Sequence, residues 1–170
     1  MEKIPIVVIG GATASGKTAL SIALAKRYGG RIISADSMQI YRRMDIGSAK
    51  PTMEERAGIR HELMDIAEPT ENYSVADYVQ AAHLAIADAH ANNELPIVVG
   101  GTGLYINSLV DDIEFQEVAA DPALRAALTK SAEQDGGAAL YGELKRIDPE
   151  AAEKIQPQNL RRVIRAVEVF

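Results

Sequence analysis

Residues 11–18 read Gly11-Ala12-Thr13-Ala14-Ser15-Gly16-Lys17-Thr18. They fit G-x-x-x-x-G-K-[ST], a loop whose backbone amides cradle phosphate oxygens. Residues 4–9 ahead of the loop form a short apolar, β-branched run, and residues 19–28 behind it have the pattern of a helix. A strand that turns through glycines into a helix aims several N–H groups at one point, and the positive end of the helix dipole adds to them. In that setting Lys17 acts as a point charge on the terminal phosphates and the Thr18 hydroxyl is a ligand for Mg²⁺. The loop predicts a di- or triphosphate ligand and leaves open whether that ligand is a nucleotide.

A nucleoside triphosphatase would carry a second acid for the metal at the end of a neighbouring apolar strand. The run Ile97-Val98-Val99-Gly100-Gly101 has none, whereas Ile32-Ile33-Ser34-Ala35 runs into Asp36. Asp36 therefore serves as an indirect metal partner, as a base on an acceptor, or as a turn residue in Asp36-Ser37. Gly100-Gly101-Thr102-Gly103 is a second glycine-rich turn at a strand end, suited to a tight turn or a substrate contact. Lys50-Pro51 lies in a loop and is expected to be solvent-exposed. His61 has Asp65 as a candidate partner, but three histidines without ligand spacing make no metal site. Arg161, Arg162 and Arg165 share a helix on which Arg161 and Arg165 face the same way; the simple alternative is a solvated face paired with Glu168.

These residues need a frame. Strands are expected at residues 4–9, 31–35 and 96–99, with helices at 17–28, 75–92 and 104–110. Ser74 and Asp77 resemble a capping box, and Thr102 is placed to cap the third helix. Strand and helix in alternation imply parallel strands with right-handed crossovers. The fold class is thus α/β, a P-loop NTPase-like parallel sheet with helices on both faces, plus an inserted helical subdomain. Residues 1–110 form the first part of the phosphate-loop core. After an acidic, linker-like stretch at 111–120, Asp121-Pro122 and Asp148-Pro149 look like N-caps followed by proline at the first helical position. Helices are expected at 122–134, 137–146, 149–155 and 159–170. Three strands make a thin sheet, and the helical pattern of Val163, Ile164, Val167 and Phe170 meets no terminating signal, so the chain reads as the front part of a longer protein with an incomplete sheet.

The 170 residues suit one domain with a real core, 47% of them apolar. No apolar run approaches the roughly 18–20 residues that span a bilayer. Cysteine is absent, which excludes disulfides and thiolate metal sites. A cytoplasmic enzyme fits, expected to act as a monomer. The net charge of −6 argues against nonspecific coating of nucleic acid. Residues 121–170 hold eight basic and eight acidic side chains, so the acid surplus lies entirely in residues 1–120.

Taken together the motifs resemble the tRNA dimethylallyltransferase (tRNA isopentenyltransferase) family. Besides the loop, the resemblance rests on Ile33-Ser34-Ala35-Asp36-Ser37, the stretch from Tyr41 through Asp45-Ile46-Gly47-Ser48-Ala49-Lys50-Pro51, His61-Glu62-Leu63-Met64-Asp65-Ile66, Tyr73-Ser74-Val75-Ala76-Asp77-Tyr78, Val99-Gly100-Gly101-Thr102-Gly103-Leu104-Tyr105, Ala120-Asp121-Pro122 and Arg165-Ala166-Val167-Glu168-Val169-Phe170. One departure is Ala12, where the family more often has proline. The resemblance implies transfer of a dimethylallyl group from dimethylallyl diphosphate to N6 of the adenosine next to the anticodon of tRNA, at position 37. It implies that residues 11–18 hold the diphosphate with Mg²⁺ on Thr18, that Asp36 is the general base, and that Lys17 and Thr18 assist departure of the diphosphate. It further implies tRNA contacts from Asp36, Ser37, Met38, Gln39, Thr102, Arg125 and the segment Arg161, Arg162, Val163, Ile164 and Arg165, with residues 111–170 as the tRNA-contacting insertion and the anticodon stem-loop as partner. Family members continue past Phe170 with further strands and a diphosphate-binding arginine. The rival readings are an adenylate isopentenyltransferase of cytokinin synthesis, an ATP-dependent small-molecule kinase, and a noncatalytic RNA- or nucleotide-binding module.

Overall fold

The computed structural model describes residues 4–113 and 121–170, which fall into two compact units, one in residues 1–115 and the other in 116–170. In the first, four strands form an all-parallel sheet: β1 (Val7–Gly10), β2 (Gly30–Ser34), β3 (His61–Glu62) and β4 (Leu95–Gly100), in the order β1-β4-β2-β3. Helix α1 (Lys17–Tyr28) links β1 to β2, while α2 (Val75–Ala91) precedes β4 and α3 (Gly103–Val110) follows it.

Side chains alternate across a strand, so register pairs sort the two faces. Ile32 pairs with Ile97, and both pack with Ala25 of α1. Ile33 pairs with Val98 and both pack with Tyr78, Val79 and Ala82 of α2 and with Tyr105 and Leu109 of α3. One face of the sheet therefore carries α1 and the other carries α2 and α3, the doubly covered arrangement expected of a P-loop NTPase-like sheet. Within the second face the Tyr78 and Tyr105 rings stack with centroids 4.1 Å apart and planes 8° apart.

Local chemistry sets the element ends. Gly29 closes α1 in the left-handed conformation (φ 63°), its N–H donating to the Ala25 carbonyl. Ser74 and Asp77 form the capping box: Ser74 Oγ accepts from the Asp77 N–H at 3.2 Å, and Asp77 Oδ2 accepts from the Ser74 N–H at 2.7 Å. The fourth strand departs from the sequence reading. His61 and Glu62, which lie outside the three expected strands, pair with Ile32 and Ile33 at the sheet edge. Two residues are too few to show a period of two.

The other unit is helical in its described residues: α4 (Pro122–Asp135), α5 (Ala138–Ile147), α6 (Pro149–Lys154) and α7 (Leu160–Val169). Asp121 Oδ1 accepts from the N–H groups of Ala123 and Leu124, and Asp148 Oδ1 from that of Ala151, so both Asp-Pro pairs start helices as their chemistry dictates. Its core is Ala132, Leu140, Leu144, Ala152, Val163 and Ile164. Burial of each large aliphatic among them stabilises the unit by about 1.5–3 kcal/mol. Most of the linker-like stretch at 111–120 lies outside the described residues.

Candidate functional site

Parallel register decides where the chemistry gathers. Gly10 lies opposite Gly100, and Ser34 opposite Val99, so β1, β4 and β2 end side by side. The phosphate loop, the Gly100-Gly101-Thr102 turn and Asp36 leave from those three ends. Ligands of open parallel sheets collect at this carboxyl edge.

A bond network ties the three segments together. The Ala35 N–H donates to the Val99 carbonyl (2.7 Å), and the Thr102 N–H donates to the Ala35 carbonyl (3.1 Å). Gly100 is confined by the same approach: a Cβ there would sit 2.0 Å from the Ala35 carbonyl oxygen. Thr102 occupies the N-cap position of α3 but makes no capping bond with its side chain, contrary to expectation. Its hydroxyl accepts from the Ser37 N–H (2.9 Å) and donates to Ser37 Oγ (3.2 Å), binding the second glycine turn to the Asp36 segment.

The edge forms a cleft of about 210 Å³. Thr13, Ala14, Lys17 and Thr18 line one part; Asp36, Met38 and Gln39 another; Gly47, Ser48, Ala49 and Pro51 a third. Two residues of the loop, Ala14 (φ 62°) and Gly16 (φ 85°), are left-handed, which turns successive amides toward one side. Helix α1 then starts without a side-chain cap, leaving its first N–H groups for a ligand. The Lys17 ammonium donates to the Ala12 carbonyl at 2.5 Å; with three donors it retains two for an anion. Asp36 Oδ1 accepts from the Met38 N–H at 2.9 Å, an Asx turn that fixes the carboxylate. Oδ2 has no protein partner among the described residues. The turn role and the functional role of Asp36 are therefore compatible.

Gln39 reaches inward: its amide oxygen accepts from Ser34 Oγ (3.1 Å) and its amide nitrogen donates to the carbonyls of Ser48 (3.2 Å) and Ala49 (3.4 Å). Lys50 corrects a prediction. Expected in solvent, it is 8% exposed, with Nζ 2.8 Å from the Tyr41 carbonyl, 2.7 Å from Asp65 Oδ1 and 3.0 Å from Asp45 Oδ1. Burial works to lower its pKa, but the hydrogen bonds to Asp65 and Asp45 outweigh it and the net shift is upward. Asp65 thus belongs to Lys50, with Arg56 3.8 Å away, and not to His61. The His61 Nδ1 instead donates to the Ile59 carbonyl at 2.8 Å, and burial pushes the imidazole pKa down, so His61 lines the cleft as a neutral ring.

Arg31 was not singled out by the sequence. It is 2% exposed and pairs with Asp88, Glu94 and Glu62, tying β2 to α2, the start of β4 and β3. Its partners are 31–63 residues away, so no local pattern announces it.

In the helical unit the segment 161–165 divides. Val163 and Ile164 are buried in the core, which removes their side chains from any direct contact with RNA, while Arg161, Arg162 and Arg165 face outward. Glu168 carries a carboxylate 1% exposed, held by Arg125 (2.7 Å) and Arg165 (2.9 Å). Hydrogen bonds from Arg125 and then Arg165 pull its pKa down to about 2. The pairing with Glu168 read as the simple alternative thus applies to Arg165 and also takes in Arg125. Arg161 and Arg162 make no ion pair among the described residues.

No helix among the described residues is long and apolar enough to cross a membrane, and these residues hold no cluster of three or more His, Asp or Glu fit for a metal. Comparison with known proteins agrees with the fold. A tRNA dimethylallyltransferase of Caldanaerobacter subterraneus subsp. tengcongensis is 52% identical over 167 residues, covering 98% of this chain and 53% of that protein. One from an Exiguobacterium species is 54% identical over 169 residues, covering 99% and 54%. The crystal structure of the full-length tRNA isopentenylpyrophosphate transferase from Bacillus halodurans superposes with a TM-score of 0.67 at 47% identity, over 98% of this chain and 55% of that one. A eukaryotic dimethylallyltransferase acting on tRNA gives a TM-score of 0.76 at 33% identity, over 94% and 40%. The chain spans about half the length of the curated relatives it matches. The IPP transferase family model matches residues 39–170, which include the Asp45-to-Pro51 wall of the cleft and the whole helical unit, and on that match the chain belongs to the IPP transferase family.

Proposed function

We propose that the protein of which this chain forms a part transfers a dimethylallyl group from dimethylallyl diphosphate to N6 of the adenosine adjacent to the anticodon, position 37, of tRNA. The observation that carries this reading is a single cleft holding both a phosphate loop and the Asp36 carboxylate, in a chain of the IPP transferase family. Backbone amides of residues 13–18 and the Lys17 ammonium bind the diphosphate. The Thr18 hydroxyl brings a hard oxygen donor to the same cleft, which suits Mg²⁺, an ion that commonly takes one or two protein oxygens alongside phosphate oxygens and water. Bound there, Mg²⁺ would supply positive charge to the leaving diphosphate.

The adenine amine is a weak nucleophile, since its lone pair is delocalised into the ring. Asp36 takes a proton from N6 as N6 bonds to the allylic carbon and the carbon–oxygen bond to diphosphate breaks. Lys17 and the loop amides stabilise the charge that collects on the departing oxygen. Residues 1–110 supply this core and residues 111–170 the RNA-contacting insertion. Ser37, Met38, Gln39 and Thr102 at the cleft, and Arg125, Arg161, Arg162 and Arg165 in the insertion, are the RNA-facing candidates; the acceptor is the anticodon stem-loop. The action of a soluble cytoplasmic enzyme on such an RNA fits the composition.

Incubation with Mg²⁺, dimethylallyl diphosphate and either an anticodon hairpin or free AMP, followed by mass spectrometry of each acceptor, tests the reading. Asp36→Ala is expected to lower transfer to the hairpin by at least about 10²-fold while leaving diphosphate binding intact. Full transfer by Asp36→Ala would remove the base assignment, and gain of mass on AMP alone would replace tRNA with a free nucleotide.

A further inference from the structure

The Asp45-to-Pro51 loop forms one wall of the cleft, yet it has no helix or strand to hold its shape. The Ser48 hydroxyl donates to the Met44 carbonyl and Arg56 Nε donates to the Pro51 carbonyl at 3.1 Å, and two further side chains fasten the loop. Gln39 binds the carbonyls of Ser48 and Ala49 and is itself anchored to β2 through Ser34. Lys50 binds Asp45 at the start of the loop, Asp65 beyond β3, and the Tyr41 carbonyl before the loop. The second fastening is unusual in kind. A lysine with its side chain 3% exposed carries an ion that is costly to desolvate, and three oxygens compensate it. A loop that needed only a fold could be closed by apolar packing.

We propose that Lys50 is a positioning residue for the ligand: by joining Asp45 to Asp65 it sets the place of residues 47–51 against the phosphate loop. The proposal rests on the reading of the cleft given above. The phosphate end of a ligand is held by residues 13–18, which Lys50 does not touch. The rest of the lining includes the apolar side chains of Met38, Ala49, Pro51 and Met64 beside the polar Gln39, Ser48 and His61, and the part of the ligand beyond its phosphates would lie against these residues. Lys50 therefore acts on that part and not on the phosphates.

The chain is tested with two probes, inorganic pyrophosphate and dimethylallyl diphosphate, each with Mg²⁺, by calorimetry on samples whose circular dichroism shows them folded. Lys17→Ala is expected to weaken both probes. Lys50→Met leaves Asp45 and Asp65, which are 65% and 42% exposed, free to hydrate, so the fold tolerates it. It is expected to weaken dimethylallyl diphosphate by about tenfold or more while pyrophosphate stays within about threefold, the mark of a misplaced wall beside an intact phosphate site. Lys50→Arg should recover part of the loss. Asp65→Asn, which keeps Lys50 and its other two partners, should give a smaller loss of the same selectivity and serves if Lys50→Met does not fold. Equal weakening of both probes, or of neither, in the folded variants overturns the positioning role. Wild-type affinity of Lys17→Ala for both probes would instead overturn the phosphate assignment on which the proposal stands, and the proposal with it.

Discussion

At the scale of single residues the cleft depends on how closely backbones approach. Gly100 shows this most directly. Its φ is not left-handed, so alanine there meets no dihedral objection; the obstacle is the Ala35 carbonyl, 2.0 Å from where a Cβ would stand. That carbonyl already accepts from the Thr102 N–H, so it cannot retreat without releasing the second turn. Gly100→Ala is expected to destabilise the sheet unit by about 2–3 kcal/mol, the upper part of the range for overpacking a tight site. Chemical denaturation of wild type and variant measures it. Gly47→Ala is the control, because nothing lies within 4 Å of a Cβ at that position, and it should change stability little. A loss of similar size in both variants would show that the Ala35 contact is not the cause.

At the scale of elements, the ion cluster between α4 and α7 makes a pH prediction. Glu168 on α7 joins Arg125 on α4 and Arg165 on its own helix, and those bonds hold its pKa at about 2. A carboxylate with a depressed folded-state pKa contributes stability above its unfolded value, about 4.3, and loses it as pH falls toward the folded value. The stability difference between wild type and Glu168→Gln should therefore be full at pH 6, narrow from about pH 4 and vanish near pH 2, as read by urea denaturation across that range. A difference independent of pH would mean that shape, not charge, makes the contact. The elements also show what could be read beforehand. Both Asp-Pro starts and the Ser74 and Asp77 box were legible, because capping involves residues two or three apart. So was the strand–turn–helix frame around residues 11–18, whose signal lies in consecutive residues. Strand β3 was not, being two residues long and defined only by its neighbour β2. The burial of Lys50 was not, since its acidic partners are reached through irregular chain and one of them lies 15 residues away. Val163 and Ile164 carry the helical spacing of a core face, yet a family resemblance groups them with the arginines around them, because a motif match runs along the chain while burial runs around the helix.

At the scale of the whole molecule the charge distribution decides how a polyanion is met. The net charge is −6, and the whole acid surplus falls in residues 1–120. A chain of that sign repels RNA at long range, so attraction to its own surface must come from cations acting within about 8–10 Å, the Debye length near physiological salt. The four arginines of the helical unit are not equivalent in this respect. Arg125 and Arg165 neutralise Glu168, leaving the three with a net charge of about +1 between them; Arg161 and Arg162 have no carboxylate partner among the described residues and keep their full charge. If the insertion meets the anticodon stem-loop as proposed, binding should weaken with salt, and each phosphate contact should contribute a slope of about −0.7 to −0.9 in log K against log salt. Arg161→Ala with Arg162→Ala should reduce that slope by about 1–2 and leave thermal stability unchanged. Arg125→Ala should lower thermal stability as well, because it removes half the compensation of a buried carboxylate. Fluorescence anisotropy of a labelled hairpin over a series of KCl concentrations, with melting curves of the same samples, separates the two effects. An unchanged slope in the double variant would take these arginines out of the RNA contact and leave them as the solvated face of α7.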